Sequence, residues 1–231
     1  MKKVILISSL FAAMAAGNAT ADTLLGFKVG ADYWQADTSG TFANVGTAQP
    51  DYNFDSSSQG SLWVSFEHPI PLIPNVMVRE NRIKDDFSVA STSGKADLSN
   101  TDFVLYYELL DNDLVSLDVG GAYKLMHGSY RFETTPIVET EVDSGVVMAY
   151  ANAMVGIPGL GLFGFADVMA GLNETSVHDF QLGLGWHFDG IAVDTRVRVG
   201  YRQFNFDVND FSGTNANLTF DGVFAGVELD F

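Results

Sequence analysis

A period of two runs through this chain. Runs of about ten residues set apolar side chains at every second position, with polar or small ones between, and turn-forming residues separate the runs. That periodicity belongs to β-strands, whose successive side chains point to opposite faces. Leu25, Phe27, Val29, Ala31 and Tyr33 share one face, opposite Lys28, Asp32 and Trp34. Similar runs fall near 60–67, at 101–110 (Phe103, Leu105, Tyr107, Leu109), at 115–125, at 178–188 (Phe180, Leu182, Leu184, Trp186, Phe188) and at 193–202. The last ends the chain with Val223, Ala225, Val227, Leu229 and Phe231. The run at 75–83 breaks its pattern, because Glu80 and Arg82 continue the parity of Val76 and Val78. A bulge or an early exit from an apolar layer would account for that. Segments 145–156 and 160–171 are rich in Gly, Ala and Val, so their facing stays open. The count is ten strands, or eight if two pairs are misread.

The connections alternate in length. Pro69–Asn75, Leu110–Leu114, Gly156–Leu160 and Asp189–Gly190 read as compact turns, whereas 35–57, 84–100, 127–143 and 205–217 read as long polar loops, with a short one at Asn173–Ser176. Short turns on one side and long loops on the other suit a transmembrane antiparallel β-barrel. A soluble barrel of the lipocalin type also alternates, with its apolar face turned inward. Gly and opposed charges on the polar face argue for a crowded lumen instead. So do Tyr33, Tyr107, Trp186, Phe188, Tyr201 and Phe231, which lie near strand ends on the apolar face, as an interfacial girdle would.

The N-terminus reads as an export signal. Lys2 and Lys3 precede an apolar run from Val4 to Ala16, and Ala19-Thr20-Ala21 has the form of a signal-peptidase site. The expected division is a signal peptide over 1–21 and a barrel over 22–231. Loss of Lys2 and Lys3 leaves ten Lys and Arg against 29 acids, a net charge of −19. So acidic a chain argues against nucleic acid as a partner. The absence of cysteine removes thiol nucleophiles and thiolate metal sites.

The closing segment, Val223-Phe224-Ala225-Gly226-Val227-Glu228-Leu229-Asp230-Phe231, resembles the C-terminal signal read by the outer-membrane barrel assembly machinery. Leu105 to Asn112, followed by Ser116-Leu117-Asp118-Val119-Gly120-Gly121, resembles a family of small outer-membrane barrels marked by a Gly-Gly pair. The resemblance would cover the whole mature chain. It implies an outer-membrane location in a Gram-negative envelope and no assigned biochemical activity.

Few residues suggest chemistry. His127-Gly128-Ser129 with Glu141 resembles the His-x-Ser of outer-membrane lipid hydrolases, but Tyr130 stands where those enzymes usually carry Asn. His178-Asp179 and Asp85-Asp86 suggest an outer-membrane aspartyl-type protease, yet adjacent strand residues face opposite ways. His68, His127, His178 and His187 share no metal-ligand spacing. The loops are acidic (Asp37, Asp51 and Asp55 in the first), so divalent cations bridging them to lipopolysaccharide are an expectation beside a simply solvated surface. No catalytic residue, cofactor or metal ligand is assigned.

The polar face carries Lys28, Arg79, Lys124, Arg196, Arg198 and Arg202 against Asp32, Glu67, Asp102, Glu108, Asp118, Asp194 and Glu228. These are expected to pair across a narrow lumen. The function expected is envelope integrity or limited passage of small solutes. The alternatives are a lipid-modifying hydrolase using His127 and Ser129, or a surface-binding protein using the long loops.

Overall fold

The computed structural model describes residues 25–70, 72–112 and 114–231. The expected signal peptide lies outside them. Alternation is realised as fifteen strands: β1 (Gly26–Asn44), β2 (Asn53–Phe54), β3 (Ser57–Glu67), β4 (Asn75–Arg82), β5 (Lys84–Val89), β6 (Thr92–Asp97), β7 (Asn100–Asp111), β8 (Val115–Met126), β9 (Gly128–Phe132), β10 (Val138–Val142), β11 (Gly145–Gly156), β12 (Leu162–Gly171), β13 (His178–Phe188), β14 (Asp194–Phe211) and β15 (Thr214–Asp230). Ten of them close a barrel in the order β1-β15-β14-β13-β12-β11-β8-β7-β4-β3. This is the ten-strand meander expected, and every seam is antiparallel. Closure sets Lys28 of β1 opposite Asp230 on one side and Ser65 on the other. No backbone edge is left open between the strands, which is the condition for crossing lipid with β-structure.

The outer wall is apolar. Leu62, Val64, Phe103, Leu105, Leu182, Leu184, Val199 and Val223 are all exposed on it, as are Tyr33, Tyr107, Trp186, Phe188 and Tyr201 toward the strand ends. Water would not tolerate an apolar band running round a closed barrel, whereas the hydrocarbon of a bilayer would. Apolar residues turned outward also dispose of the lipocalin alternative. The chain is an outer-membrane β-barrel.

Two ambiguities resolve. β4 keeps unbroken register with both neighbours, pairing Leu62 with Glu80 and Glu80 with Thr101, so it has no bulge. Glu80 and Arg82 face outward because the strand leaves the apolar layer early. In β11 and β12 the inward positions are Val146, Met148 and Tyr150, then Phe163, Phe165, Asp167 and Met169.

The long loops need correcting, because most of their residues are strand. β1, β14 and β15 run on above the belt. The last two meet at Ser212-Gly213, where both residues have positive φ (51° and 77°), the geometry of a tight two-residue hairpin. β5 follows β4 after Ile83 alone, and β9 follows β8 after His127 alone. These strands form a second sheet in the order β10-β9-β6-β5-β2. Aromatic residues hold that sheet against β1. Phe42 stacks on Tyr52 at 4.3 Å and on Tyr130 at 4.0 Å, and meets the edge of Phe87 at 5.1 Å. Burial pushes the Tyr52 phenol up to about 12, so it keeps its proton and donates to the Phe42 carbonyl oxygen at 3.1 Å. A folded cap covers the loop end of the barrel.

Candidate functional site: the lumen and its two ends

The inward positions of the barrel hold charges that a polar lumen can keep only in pairs. In the loop-side half, the Lys124 ammonium is fully buried. It lies 2.8 Å from Asp102 and 3.4 Å from Asp179, and donates to the Asn100 amide oxygen at 3.0 Å. Arg202 grips Asp179 with two bonds, from Nε at 3.0 Å and Nη2 at 2.8 Å. It also donates to Ser61 at 2.8 Å and to the Asn81 oxygen at 3.0 Å. Asn81 closes the circuit by donating to Asp102 at 2.8 Å. The network joins β3, β4, β7 and β8 to β13 and β14, so it crosses the barrel. Trp34 lies under the Arg202 guanidinium at 4.8 Å, and Phe204 lies 5.1 Å from the Lys124 nitrogen.

Further pairs follow toward the turns. Arg79 makes two bonds to Asp167, at 3.1 and 3.3 Å, and Tyr150 donates to the same carboxylate at 3.2 Å. Arg198 reaches Asp32 at 2.8 Å, with Trp63 and Phe165 beside its guanidinium. Arg196 pairs with Glu228 and lies 3.4 Å from Asp230, and Lys28 pairs with Glu67 at 2.7 Å. Below these, a cavity of about 1260 Å3 opens among the turns, lined by Lys28, Glu67, Glu108, Asp118, Asn152 and Arg196. At the turn end the lumen is a vestibule, and the ion-pair network and the aromatic cap lie beyond it.

All six expected lumen cations find partners. Of the expected acids, Glu108 and Asp118 face each other across β7 and β8 on the vestibule wall, and Asp194 lies at the turn beyond it. Two principal acids lie outside the expected set. Asp179, singled out in sequence only beside His178, is 2% exposed at the centre of the network. Asp167 lies in a segment so rich in Gly and Ala that alternation does not show which way it faces. Asn81, Asn100 and Ser61 carry no charge, and only their inward parity could have found them.

The other candidates are not assembled. His127 and Ser129 share the outward face but have separate partners. His127 Nε2 lies 3.3 Å from Thr101 Oγ1 and 3.5 Å from Glu80, while Ser129 donates to Glu139 at 2.8 Å. Glu141 is opposite Ser129 in register and makes no hydrogen bond to it among the described residues. Asp85 is buried inside the cap, whereas Asp86 faces outward and pairs with Lys95 at 3.3 Å. His178 stacks on Phe180 and Asp179 turns into the lumen. At the turn after β13, His187 Nε2 lies 3.4 Å from Asp194 and 3.7 Å from Asp189. The donor atoms of this trio all lie within 4.8 Å of one another, so it could hold a divalent cation. With one His and two Asp, the trio leaves no His–His spacing in the sequence.

No family model matches the chain, and no curated protein matches it. Among solved structures it is similar to the outer-membrane protease OmpT of Escherichia coli, at 7% identity over 94% of this chain and 100% of that one, with a TM-score of 0.49. The translocator domain of the autotransporter NalP from Neisseria meningitidis matches at 14% identity over 98% and 95%, with a TM-score of 0.43. The attachment invasion locus protein Ail of Yersinia pestis, solved with the heparin analogue sucrose octasulfate, matches at 10% identity over 90% and 100%, with a TM-score of 0.40.

Proposed function

We propose that this protein is a plugged envelope barrel that reinforces the outer membrane and holds no open channel. One observation carries the reading: the buried Lys124–Asp102–Asp179–Arg202 network spans the lumen. Barrels of about eight strands are filled by their own side chains, and open aqueous channels appear at about sixteen. Ten strands with stacked ion pairs belong near the filled limit. Purified protein in a planar bilayer should therefore carry no steady current. Large, stable, porin-like currents would overturn the proposal. Limited passage of small solutes is the second reading, favoured by the vestibule of about 1260 Å3. It requires the network to part, and Arg202→Ala should then raise conductance above a measurable basal level.

The same reading includes export with cleavage between Ala21 and Asp22, checked by N-terminal sequencing of the mature protein. It also includes recognition of the last strand by the assembly machinery, so deleting Phe231 should impair insertion. Exposed carboxylates of the cap serve as a solvated surface that divalent cations can bridge to lipopolysaccharide. A lipid hydrolase is the less supported function, because His127 and Ser129 have separate partners. His127→Ala and Ser129→Ala should leave lipid A and phospholipids unchanged by mass spectrometry.

A further inference from the structure

Ten Lys and Arg fall among the described residues, and six are the lumen cations. The other four, Arg82, Lys84, Lys95 and Arg131, are all exposed and all lie on the outward side of β4, β5, β6 and β9. The rest of the described exterior carries none. Lys95 is opposite Asp86 and Arg131 in register, and Lys84 is opposite Asp97, to which it bonds at 2.5 Å. Arg82, nearest the belt, has no ion-pair partner among the described residues.

Directly beneath these cations the outer wall is hollow. A groove of about 610 Å3 has Ala31, Gly60 and Leu62 for its floor and Ser58, Arg82 and Lys84 on its rim. Gly60 creates it by offering no side chain between Tyr33 and Arg82, its register partners on the two adjacent strands. Below the groove the wall is apolar through Val64 and Phe66. Glu80 also lines the groove, and its carboxylate accepts from Thr101 of β7 at 2.6 Å. An apolar slot topped by a free guanidinium, at the upper edge of a membrane belt, complements an amphiphile with an anionic head. The groove lies at the cap end, opposite the short turns, which is the end that barrels of this arrangement turn to the outer leaflet.

We propose that this groove binds a phosphorylated glycolipid of the outer leaflet, one acyl chain lying over Gly60 and a phosphate held by Arg82 with help from Lys84. Arginine's planar fork matches phosphate oxygens in pairs, and cations at a membrane surface strengthen attachment to anionic lipid. This inference is independent of the plugged lumen, since it concerns only the outer wall.

The test is native mass spectrometry of the full folded protein in detergent with added lipid A. A single lipid adduct is expected. Arg82→Ala should weaken it about fivefold, and dephosphorylated lipid A should bind about as weakly. Gly60→Leu offers a second route that leaves both cations in place. A Cβ at Gly60 would meet only the Asp32 carbonyl oxygen at 3.7 Å, so the variant should fold and fill the groove. Each variant is read on protein that keeps its heat-modifiable gel mobility. Adducts of equal strength in the parent and in both variants would overturn the proposal. So would equal retention of phosphatidylglycerol, or displacement of lipid A by millimolar inorganic phosphate.

Discussion

Arg202 and Gly120 show how different the demands on single residues of this barrel are. Arg202 makes a fork to Asp179 and donates to Ser61 and Asn81. Its removal leaves a buried carboxylate with Lys124 at 3.4 Å as its remaining cation. Breaking one partner out of a buried pair costs about 3–5 kcal/mol. Arg202→Ala should therefore lower the temperature at which the folded band converts to the unfolded one on gels, far more than Lys95→Ala on the exposed cap. The two adjacent glycines should separate as clearly. A Cβ on Gly120 would come within 2.0 Å of the Leu105 carbonyl oxygen and 2.7 Å of the Tyr106 Cα, whereas one on Gly121 would meet nothing closer than 3.7 Å. The close approach is backbone against backbone, so no rotamer can relieve it. Gly120→Ala should cost about 1–3 kcal/mol by overpacking, and Gly121→Ala should be tolerated in the same gel assay.

Among the elements, the cap has the clearest pH behaviour. Asp85 is the second residue of β5, with its side chain turned into the cap interior. Burial pushes its carboxyl above the ordinary carboxylate range, and the nearby Asp55 carboxylate acts in the same direction. A raised value means that the folded cap holds this proton more tightly than the unfolded chain does. The resulting stabilisation is fully present below the ordinary carboxylate pKa, and it is lost as pH rises through the elevated folded value. Limited proteolysis of the β5–β6 hairpin should accordingly be slower at pH 4 than at pH 7. Asp85→Asn should abolish most of that difference by removing the titrating group. A cap equally protected at both values would contradict the assignment.

For the molecule as a whole, two cohesive systems are stacked along one axis. The belt relies on lipid outside and ion pairs inside, while the cap above it has an aromatic core of Phe42, Tyr52, Phe87 and Tyr130. Because the barrel has no free strand edge, it should resist detergent until boiled. The cap, with fewer strands and ordinary water around it, should open first. Proteolysis under mild denaturant should nick the cap while the ten-strand band persists, and simultaneous loss of both would argue against separate units.

Period-two alternation in the sequence determined the ten strands, the outward face of nearly all of them and the side on which the turns lie. Alternation is a local property of the backbone, legible without any knowledge of partners. The inward parity of all six lumen cations was legible for the same reason. Which acid each one meets was decided only in three dimensions: Arg79 and Asp167 are 88 residues apart, and Arg198 and Asp32 are 166 apart. Those encounters depend on the tilt and stagger with which the barrel closes, which no single strand specifies. The cap was hidden for a related reason. Its strands are short and rich in polar residues, so each reads alone as a loop. They become a sheet only because Phe42 and its neighbours on β1, β14 and β15 continue above the membrane and present an apolar face to be covered.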